Sequence, residues 1–383
     1  IDAYPLFTRA GVHLRSGFFG PVERGLRASG FDVQFVPADF RRFATIARSL
    51  APRVMATAAA PPDAQGRASL ALHAGATVAE LHAAGRDPER LLVVETHPDL
   101  PRTLGVPPDH PHELTLDEID VLVESDRPLF TLEESAPSPI DRAIAGHARR
   151  FIEDGCTLQT GIGAIPSEIA HLLAEDRGGD YGVHSEMFTD GLMQLHRAGK
   201  VSNRKGSHDG YSAVTFAMGS GELYRWLDGN PEVRFLPVDC VNAHEAIGRN
   251  RSVLSVNGAL AVDLLGQVAA DALDGRQYSG IGGHMDFVAG AALSPGGRSL
   301  ICLPSTAKAG GEIRSRLVAQ LPAGTLVTTP RHEVDVVVTE HGAAELAGRS
   351  VDERAEALIA VAHPDHRDAL REAWQRASRA PGS

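Results

Sequence analysis

The sequence predicts an α/β protein built on largely parallel sheet and divided into two domains. Short β-rich runs alternate with stretches of helical spacing along nearly the whole chain, the pattern of layered α/β folds. The chain has 383 residues, more than one simple core usually organises. A proline-rich stretch without sustained periodicity, "RPLFTLEESAPSP" (127–139), interrupts the alternation. It reads as a linker between domains at 1–133 and 140–383.

The elements follow in order. "PRVMATAA" (52–59), "RLLVVET" (90–96) and "EIDVLVES" (118–125) are rich in β-branched and aliphatic residues and predict strands. Between the first two, "ATVAELHAAG" (76–85) predicts a helix closed by Gly85. Beyond the linker, "IDRAIAGHARRFIEDG" (140–155) has helical spacing to Gly155, and "CTLQTGIG" (156–163) is a strand running into a glycine loop. Further strands are expected at 213–218, 233–238, 253–256, 299–303 and 334–339, with helices near 165–175, 190–198, 221–228 and 351–361. No short repeat appears.

Composition narrows the class. At 43% apolar and 22% charged, the chain has the balance of an ordinary folded protein. A net charge of −12 without a long basic run argues against nucleic acid or an anionic membrane as partner. Lysine occurs only at Lys200, Lys205 and Lys308. Cys156, Cys240 and Cys302 are far apart, odd in number and flanked by apolar residues, so they read as reduced, semi-buried thiols of a cytoplasmic protein. No apolar run approaches a membrane span and no signal peptide is visible. The chain opens on Ile1, which leads to the expectation that the start of its first domain is missing.

Four stretches could carry chemistry. In "LQTGIGAIPSEIAHLL" (158–173), small residues let a ligand approach the backbone, and a helix start begun at Pro166 offers free amides to an anion. The third glycine of a dinucleotide loop is absent, so a bare strand-to-helix turn fits as well. In "YSGIGGHMDFVAGAALSPGGRSLICLPSTAKAGGEI" (278–313), Gly280, Gly282 and Gly283 imply close backbone approach or positive φ, and Lys308 sits in the following loop; a surface hairpin is the other reading. "VVVTEHGAAELAG" (336–348) puts Glu340 at the carboxyl end of a buried-type strand, either as a pocket carboxylate or as a cap at a strand-to-helix turn. "GVHSEMFTDG" (182–191) holds Glu186, locally readable as a surface charge or a pocket carboxylate, and Asp190, which suits a helix cap. The histidines of "HPDH" (363–366) lack companions at zinc-ligand spacing, and no serine-hydrolase elbow occurs, so no metal site or serine triad is expected.

Taken together and in order, "PPDAQGRASL", "DVLVESDRPL", "LQTGIGAIPSEIA", "GVHSEMFTDGL", "PVDCVN", "GIGGHMDFVAGAALSPGG", "LPSTAK" and "VVTEHG" resemble the acetyl-CoA hydrolase/transferase family, which includes enzymes like 4-hydroxybutyrate CoA-transferase. The resemblance runs from about residue 54 to 372. It implies a pair of similar open α/β domains with acyl-CoA between them, the first domain incomplete at its start. It implies Glu186 as the catalytic glutamate. It matches Gly161, Ile162, Gly163, Ala164 and Ile165 to the CoA-contacting loop, and Gly280, Gly282, Gly283 and Lys308 to the glycine-rich CoA and oxyanion segment. Asn242 and Glu340 match polar active-site positions that orient the acceptor or Glu186. Coenzyme A is then a substrate and no cofactor is bound permanently. The partners implied are acyl-CoA, a small carboxylate and a second copy of the chain in a homodimer or larger homo-oligomer.

The chemistry this implies is ping-pong transfer through a glutamyl-CoA thioester on Glu186. An acyl-CoA hydrolase on the same scaffold, with water resolving the intermediate, is the alternative, and a non-catalytic CoA-binding protein is a third reading. One departure bears on the last: many relatives carry glutamate where Ala261 stands, and the loss either alters specificity and turnover or is a packing change. Met187, His284 and Met285 are candidate pocket walls, but apolar contacts discriminate a methylene only weakly.

Overall fold

The aliphatic runs become strands of two parallel-type sheets. The computed structural model describes residues 4–9, 11–133, 135–273 and 275–378; Ile1 lies outside them. In the first third, β1 (Val54–Ala59), β2 (Leu91–Thr96) and β3 (Val121–Glu124) form a parallel sheet in that order. Helix α1 (Val78–Gly85) makes the crossover from β1 to β2 and buries Leu81 and Ala84 with Leu92 and Val94. Gly85 ends it by close approach: a Cβ there would stand 2.4 Å from the Glu118 carbonyl oxygen.

The larger sheet contains β4 (Thr157–Gln159), β5 (Gly182–Val183), β6 (Val253–Gly258), β7 (Arg298–Cys302), β8 (Val336–Thr339) and β9 (Gly342–Glu345). Its spatial order is β9-β8-β7-β6-β4-β5, parallel throughout except for the β8–β9 hairpin. Side chains alternate between two cores, as strand geometry requires. Leu300, Val336 and Val338 pack on one face with Ile144 and Ala148 of α2 (Pro139–Arg149) and Leu173 of α3 (Ala164–Glu175). Ile301 and Val337 pack on the other with Leu358 and Val361 of α5 (Val351–Val361). Truncating Leu173, Leu300, Ile301 or Leu358 to alanine should cost about 2–5 kcal/mol.

Four expectations change. The helix from 140 stops at Arg149, because the Arg149 guanidinium caps the Ile152 carbonyl at 2.6 Å and Ile152 turns into the core. The strand expected at 213–218 splits into Ser212–Val214 and Phe216–Ala217, which pair with different partners. The chain after Thr339 returns as an antiparallel strand through Gly342 (φ +138°) rather than entering a helix. Within the glycine-rich region, His284–Leu293 is a helix, α4, whose Gly290 lies where a Cβ would meet Ile247 at 2.6 Å.

Segments 127–133 and 135–138 carry no helix or strand. The parts of the chain before and after this segment nevertheless share a seam of backbone bonds, Ala217 N to Leu72 O at 2.9 Å, Val238 N to Gly75 O at 2.8 Å, Phe235 N to Leu104 O at 2.8 Å and Phe40 N to Gly282 O at 3.0 Å. Cys156 and Cys302 are buried, Cys240 is half-buried, and all three are free thiols. Among the described residues, no helix is long and apolar enough to cross a membrane, and no three His, Cys, Asp or Glu side chains gather as a metal site.

Candidate active site

Glu186 follows the edge strand β5, and its neighbours fix it on three sides. His184 is fully buried; its Nε2 bonds the Val241 carbonyl at 2.7 Å and its Nδ1 accepts from Asn250 Nδ2 at 3.2 Å. Burial pushes the ring's pKa down to about 3, so it is neutral, with Nε2 carrying the proton. Ser185 Oγ donates to the Thr160 carbonyl at 3.2 Å, which docks the Gly161 loop beside the glutamate. The Glu186 carbonyl accepts from the amides of Thr215 at 3.0 Å and Phe216 at 3.2 Å.

The carboxylate has little freedom. Its Oε2 accepts from Asn242 Nδ2 at 2.7 Å. A Cβ on Gly283 would fall 2.0 Å from that same oxygen and 2.6 Å from Asn242 Nδ2, so any side chain there would displace the carboxylate or its donor. Gly282, at φ +58°, uses the left-handed backbone that glycine adopts without strain. Asn242 ends the short helix Val238–Val241 and is fully buried. Its amide also reaches Asp286 Oδ2 at 3.2 Å, so one NH₂ group bridges two carboxylates. Asp286, on the first turn of α4 and completely buried, is held by Arg41 Nε at 2.7 Å, with His244 Nε2 at 3.4 Å.

Electrostatics sets the reactivity. Burial raises the Glu186 pKa to about 7; the Asn242 amide opposes that rise and the Asp286 charge adds to it. Asp286 is likewise pushed up by burial, against its bonds from Asn242 and Arg41. Near neutral pH, Glu186 is therefore a poorly solvated carboxylate with one strong donor on one oxygen, which makes it basic and nucleophilic.

Of the residues expected from sequence, Glu186, Asn242, Gly282 and Gly283 come together here, with the Gly161–Ile165 loop adjoining. Gly163 (φ +120°) opens α3 without a side-chain cap, leaving that helix start free. Gly280 serves packing: a Cβ there would stand 2.6 Å from the Gly17 carbonyl oxygen. Glu340 is bonded to Ser305, from Oγ at 2.6 Å and N at 2.8 Å, and makes no hydrogen bond with Glu186 or Asn242. Burial works to raise its pKa, but the Ser305 bonds hold it below the ordinary glutamate value. Lys308 is exposed on the hairpin Thr306–Ala309/Glu312–Ser315 and has no ion pair among the described residues. Ala261 is half-buried, paired with Ala269. Asp190 is not a cap for its own helix, since its carboxylate accepts from the Ser220 amide and hydroxyl. Sequence reasoning missed Arg41, His184, His244 and Asp286. The last had a signal, a lone charge within the otherwise apolar "GGHMDFVAG".

Residues 219–374 match the acetyl-CoA hydrolase/transferase C-terminal domain. Over 370 residues the chain is 38% identical to succinyl-CoA:cyclohexane-1-carboxylate CoA transferase of Geobacter metallireducens, covering 96% of this chain and 81% of that protein. The chain belongs to the acetyl-CoA hydrolase/transferase family. Within that family it is 42% identical over 282 residues to 4-hydroxybutyrate coenzyme A transferase of Clostridium kluyveri, which covers 73% of this chain and 64% of that protein, so the chain spans under two thirds of that relative's length. A more distant family member, acetyl-CoA hydrolase of Schizosaccharomyces pombe, is 28% identical over 263 residues, 66% of this chain and 49% of that protein. Among solved structures, RipA from Yersinia pestis superposes with a TM-score of 0.88 at 34% identity, covering 98% of this chain and 83% of that one. The family's α/β architecture with parallel sheets is thus the fold seen here.

Proposed function

We propose that this protein transfers CoA from an acyl-CoA to a small carboxylate acceptor, with Glu186 as the covalent nucleophile. The observation that carries the reading is the Glu186 carboxylate, bonded to Asn242 and abutting Gly283. In the first half-reaction an ionised Glu186 oxygen attacks the thioester carbonyl and CoA thiolate leaves, giving an acyl-glutamyl anhydride. The thiolate then attacks the glutamyl carbonyl, forming glutamyl-CoA and releasing the donor's carboxylate. The acceptor carboxylate attacks glutamyl-CoA, expelling the thiolate again, and the thiolate takes the new acyl group and frees Glu186.

The amides of Gly282 and Gly283 are the natural oxyanion donors, each contributing about 3 kcal/mol to the tetrahedral states. The anhydride is a high-energy species, so binding of the remote CoA moiety must help stabilise it. We place CoA between the lobes 1–133 and 140–383, with the Gly161–Ile165 loop, Gly280 and Lys308 along its path. Asn242 positions Glu186, and Glu340 stands ready to orient a substrate group. CoA enters and leaves as substrate, no permanent cofactor takes part, and the working form is a cytoplasmic homodimer or larger homo-oligomer.

The distant hydrolase relative keeps water open as the acceptor. A panel of acyl-CoAs crossed with a panel of carboxylates decides between the two. Transfer predicts CoA exchange that requires an added carboxylate and an intact-mass gain equal to covalent CoA, absent in Glu186→Gln, with turnover down at least about 1,000-fold. CoA release indifferent to every carboxylate would leave hydrolysis, and an unchanged rate in Glu186→Gln would sink both.

A further inference from the structure

Glu186 lies far along the chain, yet a turn from the early part of the sequence touches its surroundings at three points. This is the 3₁₀ turn Phe40–Arg42. The Phe40 amide donates to the Gly282 carbonyl at 3.0 Å. The Phe40 ring meets the Phe216 ring edge-on at 5.9 Å, and the Phe216 amide is one of the two that hold the Glu186 carbonyl. Arg41 bonds both oxygens of Asp286, from Nε to Oδ1 at 2.7 Å and from its backbone N to Oδ2 at 3.3 Å.

Asp286 has no exposed surface and shares the Asn242 NH₂ group with Glu186. That sharing fixes which way the amide points. Between two anions Asn242 must present its two N–H donors, because the flipped amide would set its oxygen against both carboxylates. Its Oδ1 is left buried without a hydrogen-bond partner among the described residues. A neutral Asp286 would be free to donate to that oxygen in a flipped amide, and Glu186 would then lose its donor. Burial pushes Asp286 toward its neutral form, helped by the Asp39 charge, and the bonds from Asn242 and Arg41 and the Arg41 charge oppose it. His244 Nε2 stands 3.4 Å from Asp286 Oδ1 and is a cation only when protonated, so Arg41 is the permanent cation at this carboxylate.

The Phe40 bond acts on the glycine loop in the same sense. In a trans peptide the C=O and N–H point to opposite sides, so tying the Gly282 carbonyl to Phe40 sends the Gly283 N–H the other way. We infer that Phe40 and Arg41 are positioning residues. Their turn aims Asn242 at Glu186 by way of Asp286, and it fixes the Gly282–Gly283 peptide by way of the Phe40 amide. The inference rests on the proposed transfer for the reaction it serves, but not for the geometry it assigns.

Arg41→Met should lower kcat for CoA exchange about tenfold and leave the KM for acyl-CoA within about twofold, since it acts on the reacting carboxylate and not on the substrate. Arg41→Lys, which keeps the charge, should recover most of that rate. In an Asn242→Ala background the same Arg41→Met should cost little more, because both act through one amide. Phe40→Pro removes a single donor where proline is accommodated, for Asp39 already holds the extended φ −61°, ψ 146° that a following proline requires. It should be about tenfold slower than Phe40→Ala, which loses the ring and keeps the amide. One readout needs no turnover. Asparagine occurs only at Asn203, Asn230, Asn242, Asn250 and Asn257, so the Asn242 side-chain amide can be assigned in asparagine-labelled protein by its loss in Asn242→Ala. Arg41→Met should speed the exchange of that amide with solvent. An equal cost of Arg41→Met with and without Asn242, or equal rates in Phe40→Pro and Phe40→Ala, would overturn the assignment. An inactive wild type whose Asn242 amide still depended on Arg41 would sink the transfer reading and leave the positioning role standing.

Discussion

In the proposed transfer Glu186 attacks only when ionised, and burial raises its pKa to about 7. A carboxylic acid with an elevated pKa stays protonated until pH passes that value, so the first half-reaction should lose rate as pH falls through about 7. Asn242→Ala removes the donor that favours the anion. Its acid limb should move to higher pH, with kcat down about 10- to 100-fold, as for loss of one charged hydrogen bond. Rapid-mixing profiles of glutamyl-CoA formation would read both effects, and an unmoved limb in Asn242→Ala would assign it to another group. The ordered motifs, through the family they resemble, pick out Glu186, Asn242 and Gly283, although locally Glu186 also reads as a surface charge. The sequence hides Arg41 and Asp286, which meet across 245 positions, because their pairing is a product of the tertiary fold.

At the element scale, α4 matters for what its start permits. Gly283 has φ −89°, open to any residue, so Gly283→Ala adds no backbone strain and acts solely through its methyl group on Glu186 and Asn242. We expect kcat to fall at least about 100-fold, as for a misplaced reacting group, with Tm nearly unchanged; equal losses of both would mean a folding defect. The parallel strands of the larger sheet were legible because burial on both faces makes them continuous aliphatic runs, and β3 keeps such a run although it is exposed. Helix α4 was not, because it buries Phe287, Val288 and Ala291 on more than one side, and its glycines imitate a loop. Likewise, the turn at Gly342 that creates β9 depends on pairing with β8, which local propensity does not encode.

Across the whole molecule, the segment between the sheets is exposed yet fastened. Phe130 is 71% exposed, while its carbonyl accepts from the Tyr224 hydroxyl at 3.0 Å and the Leu132 amide bonds Gly219 O at 2.9 Å. Together with the seam at Leu72, Gly75 and Leu104, these bonds should keep a chain nicked near Arg127 together. Brief trypsin treatment is expected to give two fragments that co-elute on gel filtration and retain activity. Separation without denaturant would show the seam too weak to hold the parts together. The alternation of strands and helices announced two sheets, but the seam is made of backbone groups and leaves no mark in side-chain pattern.

The half-protonated glutamate has a consequence for proton stoichiometry. At pH 7 about half of the free sites carry a proton on Glu186, whereas the glutamyl thioester carries none. Forming the intermediate with excess acyl-CoA and no acceptor should therefore release about half a proton per site, visible with an indicator dye in weak buffer. Release should approach one proton near pH 6 and vanish near pH 8, and the second half-reaction should take the same amount back up. The resting enzyme would act as a small proton reservoir that discharges with each acyl-CoA and refills with each acceptor.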